Sequence, residues 1–300
     1  MNVTHPKRRN IVGWIVVGLS VVVACLWAFW GINENFHEGW YHRSLLGNLG
    51  LMFVQYLSPM LAFMVLALLS ISWPRLGAGL HAILAAFLIW FFRRGSFAAI
   101  FLVITPLLIS GAMYWYGRPR PRRLAMGLVI GLPLLTLVGF GIAPALRVSQ
   151  RVYDGDLSAQ MVEGNGVALT WAPAGPGWPS KGMDWYDAVD ACRMLTEDGT
   201  TLAATPVDAW RLPSTDEAVR SMARHGVNSG GVWDAQTASA KYETGPDKES
   251  PLWDVYSPVI YWWTATEIDE EHAYIIVYDG KVWPRSKDFG PDYLGFRCVK

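Results

Sequence analysis

Apolar and polar positions divide the chain into two halves with different patterns. Up to residue 146, long apolar runs alternate with short polar stretches. A helix needs about 20 apolar residues to cross the hydrocarbon of a membrane, and five runs approach or exceed this length. They cover residues 11–30, 51–73, 76–92, 97–116 and 124–146. We therefore predict that residues 1–146 form a membrane domain of about five transmembrane helices.

The first run has two interpretations. Lys7, Arg8 and Arg9 precede it, as basic residues precede the apolar core of a signal peptide, and Cys25 lies where a lipoprotein signal would be cleaved. The apolar stretch continues through residues 26–30, beyond that cysteine, which favours an uncleaved helix. Both interpretations leave the second half of the chain outside.

Charged side chains are absent from the interior of all five runs. Transport pathways need ionisable groups at membrane depth, and only His81 lies within a run, so we predict an anchor or docking surface rather than a pore. Gly127 and Gly131 have the spacing of small residues that lets helices approach closely. They would pack either within the bundle or against a helix of another protein.

The basic residues set the predicted orientation. Residues 1–146 carry 11 basic and 2 acidic side chains, whereas residues 147–300 carry 14 basic and 23 acidic ones. With the N-terminus inside, the inner segments hold eight Lys and Arg residues and the outer loops three, in line with the positive-inside rule. The tight turn predicted at residues 93–95 goes against this rule. We expect a cytoplasmic N-terminus and an extracytoplasmic C-terminal domain.

Composition supports this division and excludes one class of partner. Hydrophobic residues make up 52% of the chain and charged residues 17%, below the roughly 25% of soluble domains. The basic residues lie between apolar runs and the second half is acidic, so no nucleic-acid partner is expected.

Residues 147–160 are polar and predict a linker, after which residues 161–300 have room for one compact domain. Residues 167–171 have the pattern of a strand. A helix is predicted over 184–198, with Asp184 as its N-cap and Gly199 beyond its end. A second helix is predicted from Ser214, which has capping-box spacing to Glu217.

The last part of the chain predicts strands. Aromatic and β-branched residues fill 259–265 and 272–278, and Asp279-Gly280 is a hairpin signal before 281–285. Residues 293–299 close an antiparallel sheet, so the domain is predicted to be α+β. The long segment 227–258 has little periodicity and is either a self-packed loop or a ligand-contacting one.

The cysteines fit an oxidising compartment. Cys25 lies in the first run, Cys192 in the first predicted helix of the second half, and Cys298 in the last predicted strand. A Cys192–Cys298 disulfide would close a long loop. A shared metal is the alternative, although no histidine or third thiol has ligand spacing nearby.

Five short elements follow one another in the second half. They are Ala168-Leu169-Thr170-Trp171, Met183-Asp184-Trp185-Tyr186-Asp187-Ala188, Trp210-Arg211-Leu212-Pro213-Ser214, Tyr261-Trp262-Trp263-Thr264-Ala265-Thr266-Glu267 and Gly295-Phe296-Arg297-Cys298-Val299. With them, residues 160–300 resemble the C-terminal domain of bacterial collagen-like adhesins, a domain of unknown function. That family is similar to the formylglycine-generating-enzyme-like branch of the C-type lectin fold.

The resemblance implies a C-type-lectin-like domain in the periplasm of a bacterium, anchored in the inner membrane. In this fold the first helix and last strand are commonly joined by a disulfide, which matches Cys192 and Cys298. Oxidase relatives bind copper through two cysteines near the C-terminus, and only Cys298 lies there. We therefore expect no catalytic residues and no cofactor, with a structural Ca²⁺ as an alternative.

One further metal site is conceivable in the first outside loop. His37 and His42 lie there with Glu34 and Glu38, at spacings that share a helix face. A wet interfacial loop is the favoured interpretation of these residues.

Two functions are consistent with these patterns. The first is an accessory subunit of a membrane protein complex, whose partners are other subunits that contact the helices and the outer domain. The alternative is an envelope recognition module for glycans or other ligands, and a metal oxidase is a third possibility. The candidate contact residues are Trp233, Asp234, Trp253, Asp254, Trp262, Glu267 and Trp283.

Overall fold

A computed structural model describes residues 4–93 and 100–300, which fall into two compact units. The first unit comprises Met1–Trp40 and Ser44–Val148, and the second comprises Tyr41–Arg43 and Ser149–Lys300. Within the described residues the first unit is helical, and the second contains all the strands.

The helices of the first unit follow the apolar runs. They are α1 (Thr4–Glu34), α2 (Leu45–Leu51), α3 (Ser58–Ser72), α4 (Pro74–Phe91), α5 (Thr105–Tyr116) and α6 (Arg122–Ser149). Single π-helical segments extend three of them, at Asn35–Gly39, Met52–Tyr56 and Ile100–Ile104. Three stretches are long and apolar enough to cross a membrane, namely Pro6–Gly39, Pro74–Phe91 and Arg122–Ser149. The prediction of such helices is confirmed for the first, third and fifth runs.

The second predicted span is not one straight helix. Leu45–Tyr56 and Ser58–Ser72 meet at an angle of 64°. Pro59 lies in the first turn of α3, where its missing N–H costs no helical hydrogen bond and its ring favours a fresh helix start. The expectation of an unbroken helix over 51–73 is therefore wrong, and the pair counts as a fourth span only if the bent helices cross together.

The fourth predicted span is described only in part. Its described portion, Ile100–Tyr116, is an apolar helix shorter than the three spanning ones. Residues 94–99 hold the start of the predicted span and most of the predicted turn at 93–95, and these lie outside the described residues.

Small residues bring the helices of the first unit together, although not at the predicted positions. A Cβ atom at Gly77 would overlap Ser70, and one at Gly111 would lie 2.9 Å from the His81 Cβ. In contrast, a Cβ at Gly127 or Gly131 meets no atom within 4 Å. Packing of Gly127 and Gly131 within the bundle is therefore wrong, because their side of α6 faces away from the other helices. Docking of these glycines on a foreign helix stays a prediction.

The second unit combines two short helices with short strands. Its helices are α7 (Trp185–Met194) and α8 (Thr215–Ser221). Its strands are β1 (Gln160–Gly164), β2 (Val167–Trp171), β3 (Ala223–Arg224), β4 (Val227–Asn228), β5 (Val232–Asp234), β6 (Ser239–Lys241), β7 (Tyr261–Glu267), β8 (His272–Val277), β9 (Val282–Ser286) and β10 (Leu294–Gly295). The segment 227–258, predicted to have little regular structure, therefore contains the small hairpin β5–β6 and the strand β4, whose partner β3 lies just before the segment.

Both predicted helix starts are confirmed. The Asp184 carboxylate accepts a hydrogen bond from the Asp187 N–H, and Ser214 and Glu217 form a complete capping box. α7 ends at Met194, earlier than the predicted residue 198, because Leu195 adopts an extended backbone.

The main sheet has the strand order β10-β7-β8-β9. β7, β8 and β9 pair antiparallel, as predicted, whereas β10 pairs parallel to β7, with Leu294 opposite Tyr261. The prediction of a wholly antiparallel sheet is wrong at this edge. The reason is the connection after β9, which returns to the start of β7 before β10 begins.

Both faces of the main sheet are buried at its central strands, β7 and β8. Side chains of neighbouring strand residues point to opposite faces, so Trp262 and Trp263 fill different clusters. Trp262 packs with Trp171, Trp253, Val219 and Ile276. Trp263 belongs to the cluster of Trp210, Ile275, Phe296 and the Cys192–Cys298 disulfide. The predicted disulfide is confirmed and joins α7 to the C-terminal segment.

Removal of this disulfide is expected to destabilise the second unit. The cysteines are separated by 106 positions, and cross-linking a loop of that length reduces the entropy of the unfolded chain by an amount worth about 4 kcal/mol. The variant C192S/C298S should unfold at a lower denaturant concentration than the wild type, measured by tryptophan fluorescence of the full chain in detergent.

The matched control is C25S, which removes the free cysteine of α1. It should leave the transition of the second unit unchanged. An identical midpoint for C192S/C298S and wild type would contradict the stabilising role of the bond.

Candidate functional site

Two of the seven predicted contact residues belong to the core. Trp253 is 3% exposed and Trp262 is fully buried. Their rings stack with centroids 3.7 Å apart and planes inclined by 11°. The expectation that these two residues contact a ligand is wrong, because a stacked pair inside the cluster offers no surface. The sequence does not indicate which tryptophans are covered, since their burial depends on distant segments such as Trp171 and Val219 that pack in the same cluster.

Two other predicted residues stabilise local turns, and a third packs against β8. Asp234 accepts hydrogen bonds from the N–H groups of Gln236 and Thr237, and bonds from Thr237 and its neighbour lower the pKa of Asp234. Asp254 accepts a bond from the Tyr256 N–H. Trp233 is half-buried and contacts Tyr274 edge-on at 5.4 Å. Each residue has a structural role that leaves part of its surface accessible.

Glu267 is exposed and forms an ion pair with Lys287. The same ammonium donates hydrogen bonds to the backbone oxygens of Asp269 and Glu270. Lys287 also lies 4.8 Å above the ring of Trp185. The bond to Glu267 raises the pKa of Lys287, so the ammonium is charged at neutral pH and fixes the β7–β8 turn.

Trp283 lies in an exposed group of aromatic and basic side chains that we call the β9 patch, defined as Trp283, Arg285 and Phe289. Trp283 is 48% exposed and Phe289 41%. Trp283 and Arg285 point to the same side of β9, and the Arg285 guanidinium lies 5.8 Å from the ring centroid of Phe289. Trp, Tyr and Arg are the residue types enriched where protein interfaces are strongest.

The β9 edge itself is poorly suited to bind another strand. Val277 N–H donates to Lys281 O, and Lys287 N–H donates to Glu271 O. Because hydrogen-bonded pairs alternate along an antiparallel ladder, Pro284, opposite Tyr274, belongs to a pair that directs its backbone groups away from β8. Proline offers no N–H there. A partner at this edge is therefore recognised by side chains.

A hollow of about 490 Å³ lies beside the patch. Its lining residues are Ile268, Asp269, His272, Pro284, Arg285 and Ser286. The Asp269 carboxylate is 2.9 Å from the His272 Nδ1, and this contact lowers the pKa of Asp269. The hollow thus offers a carboxylate, a guanidinium and a hydroxyl to a polar ligand.

A buried ionic cluster lies elsewhere in the same unit, and the sequence analysis missed it. The Asp247 carboxylate binds Arg151 at 2.9 Å and also binds Arg224. The Glu249 carboxylate accepts a hydrogen bond from the Val152 N–H at 2.8 Å. The residues 151–152 predicted to be a loose linker are therefore tied to the domain. A polar stretch such as 247–250 is typical of a solvated loop, and only the fold buries it.

Lys248 lies in this cluster and is 2% exposed. Its ammonium donates to the Ser257 carbonyl. Burial, together with the nearby Arg151, lowers the pKa of Lys248 from 10.5 to about 7. The pKa falls because the charged ammonium is less stable away from water, so the neutral amine is favoured.

Metal-ligating groups were sought across the part of the chain that the structure describes. No group of three or more His, Cys, Asp or Glu residues there is arranged to hold a metal ion, including His37, His42, Glu34 and Glu38.

No protein-family model matches this chain, and no curated protein matches it either. The resemblance of residues 160–300 to the adhesin domain family therefore stays a prediction.

Two single tryptophan substitutions should distinguish a core position from a surface position by their effect on the free energy of unfolding. Trp262→Ala removes a fully buried indole and should lower the free energy of unfolding by about 3–5 kcal/mol. Trp283→Ala, at an exposed position, should change it by less than about 0.5 kcal/mol. Urea unfolding of the full chain measures both values, and a large loss for Trp283→Ala would show that this residue is structural.

The stability of the second unit should rise with pH above 7. Between pH 7 and 10.5 the unfolded chain holds a proton on Lys248 that the folded chain lacks, so deprotonation favours folding. The variant K248M should flatten this rise by up to about 1 kcal/mol per pH unit. K241M, at an exposed lysine, is the control and should keep the wild-type slope. Parallel curves for K248M and wild type would rule out the buried ammonium as the cause.

Proposed function

We propose that this protein is a non-catalytic, membrane-anchored subunit of a membrane protein complex, with an extracytoplasmic domain that binds a partner protein. The β9 patch carries the proposal. It combines exposed Trp283 and Phe289 with Arg285, which points to the same side of β9 as Trp283 and lies over the Phe289 ring.

The helices of the first unit support anchoring. Three of them have the length and hydropathy to cross a membrane, and their exposed side chains are largely apolar, among them Ile15, Val22, Leu135 and Val138. Such surfaces are stable against lipid or against helices of another protein. We propose the inner membrane of a bacterium, with the N-terminus in the cytoplasm and the second unit in the periplasm. The disulfide supports an oxidising compartment for the second unit.

The patch is suited to a protein partner for a physical reason. Its aromatic rings offer a large apolar area at low conformational cost, and the Arg285 guanidinium can donate several hydrogen bonds. The patch lies on β9, whose neighbour β8 is fixed by two-sided burial. Binding there needs little reorganisation of the backbone.

Recognition of a glycan is the second candidate function, and the hollow beside β9 favours it. Asp269, Arg285 and Ser286 line the hollow and can exchange hydrogen bonds with hydroxyl groups. This function needs no partner subunit.

The deciding experiment is extraction of the full chain from its native membrane in mild detergent, followed by size separation and mass spectrometry. We expect a stoichiometric partner to migrate with the wild type. The variant W283A/R285A should lose that partner, because it removes the largest ring and the charge of the patch. The matched variant L202A/K241A removes an exposed apolar and an exposed basic side chain outside the patch, and it should keep the partner.

A wild-type chain that migrates alone at 33.4 kDa would contradict the subunit proposal. Loss of the partner by both variants would contradict the assignment of the patch. In the first case, binding of a glycan array to the wild type but not to W283A/R285A would support the alternative function.

A further inference from the structure

The first unit contains a cavity with an unusual charge. It has a volume of about 340 Å³ and is lined by Pro6, Arg9, Asn10, Arg118, Arg120 and Arg122. Four of these six residues are arginines, which stay protonated at any physiological pH. No carboxylate is among them.

The surrounding chain cannot neutralise these arginines. Glu34 and Glu38 are the only acidic residues among the first 153 residues of the sequence. Glu34 ends the helix α1 in which Arg9 lies near the start, and 25 residues of helix separate the two by about 37 Å. That distance exceeds the Debye length of physiological salt several-fold. The positive charge of the cavity therefore has to be balanced by something outside the unit.

Hydrogen bonds fix the walls of the cavity. The Arg118 N–H donates to the Arg9 carbonyl at 2.8 Å, and the Arg120 N–H donates to the Asn10 side-chain oxygen at 2.8 Å. The Trp14 indole N–H donates to the Arg120 carbonyl at 3.0 Å. These bonds hold the segment between α5 and α6 against the start of α1. The cavity is therefore built into the bundle and does not depend on a chance arrangement of surface side chains.

Two of the arginines donate hydrogen bonds to the backbone, whereas the side chains of the other two form no hydrogen bond with any residue that the structure describes and can bind a ligand. The Arg118 guanidinium donates to the carbonyls of Tyr114, Trp115 and Gly117, which end α5. Arg9 donates to the Tyr116 carbonyl at 3.2 Å. The side chains of Arg120 and Arg122 are exposed.

Mutual repulsion is a second sign of unbalanced charge. Burial and the nearby charges of Arg9, Arg122 and Arg75 lower the pKa of Arg118. A bound anion would relieve this repulsion.

The surroundings of the cavity favour an amphiphilic ligand, with one anionic and one apolar part. The cavity lies where α1 begins, where α5 ends and where α6 begins. Directly beyond it along these helices, the side chains of Ile11, Tyr116 and Leu124 are exposed. A ligand that places an anionic group in the cavity would lay an apolar tail along these side chains. Basic pockets at the ends of transmembrane helices bind lipid headgroups in this way.

We propose that this cavity binds the phosphate of an anionic phospholipid headgroup, with Arg120 and Arg122 as its principal contacts. The proposal rests on the membrane location proposed above. The site is distinct from the β9 patch, since it belongs to the other unit.

The test uses the purified full chain in detergent micelles and short-chain phosphatidylglycerol as the probe. Binding is measured by native mass spectrometry and by the rise in unfolding temperature. Phosphatidylcholine with the same acyl chains tests whether the net negative charge matters. Inorganic phosphate, as a further arm, tests whether the acyl chains matter.

The variant R120Q/R122Q should weaken phosphatidylglycerol binding about 30-fold, as expected for two basic groups close to an anionic headgroup. Both backbone hydrogen bonds of Arg120 remain in this variant. The control K7Q/R123Q removes the same charge from the same end of the helices, at residues that do not line the cavity, and should bind nearly as well as the wild type. The single variant R122Q, expected to weaken binding about fivefold, serves if the double variant does not fold.

Three results would overturn the proposal. Equal loss in R120Q/R122Q and K7Q/R123Q would mean that bulk charge, rather than the cavity, attracts the lipid. Equal affinity for phosphatidylcholine would remove the role of the anionic headgroup, and equal affinity for inorganic phosphate would make the site one for a free anion. Retention of the chain in membranes after an alkaline wash is measured separately. Release there would contradict the membrane location, whereas retention without lipid binding would contradict only this site.

Discussion

The cost of removing charge from water is the constraint on which both units depend. The first unit avoids this cost, because its apolar stretches carry no charged side chain in their interior and its arginines are confined to their ends. In the second unit, ion pairs and hydrogen bonds to the buried charged groups offset this cost. Asp247 is buried between Arg151 and Arg224, and Arg297 is buried with bonds to the carbonyls of Ala172, Pro251 and Leu252. A buried charge is tolerated only with such partners.

Ion pairs and hydrogen bonds in the second unit also fix the residues of this unit that directly follow α6. Arg151 and Val152 are held by Asp247 and Glu249, so the segment that follows α6 is part of the domain from its first residues. The sheet then provides a rigid support, because Trp262 and Trp263 fill the clusters on its two faces. The β9 patch lies at the edge of this support. Recognition at such an edge depends on its side chains, because Pro284 interrupts the row of outward backbone donors.

In the first unit, by contrast, basic residues far outnumber acidic ones. Eleven basic residues and two acidic ones precede residue 147, and the helices bring several of the basic ones together without a carboxylate. In the second unit, Arg151 and Arg224 form ion pairs with Asp247 of the same unit. In the first unit the partner of Arg120 and Arg122 is proposed to be the membrane itself. The charge imbalance along the sequence therefore leaves a basic cavity in the first unit, whereas the second unit carries a net negative charge.

The sequence by itself determined the features that depend on local chemistry. Apolar length predicted the helices, the side chains of Asp184, Ser214 and Glu217 predicted two helix starts, and Asp279-Gly280 predicted the β8–β9 turn. The cysteine count and positions predicted the disulfide. Only the tertiary structure decided features that depend on contacts between distant residues: the parallel pairing of β10, the break at Pro59, the burial of 247–250, and which tryptophans face solvent. Trp253 and Trp283 carry the same prediction of a ligand or partner contact, and they differ because the fold stacks Trp253 on Trp262 and places Trp283 on an edge strand. Local pattern carries no information about which surface another part of the chain will cover.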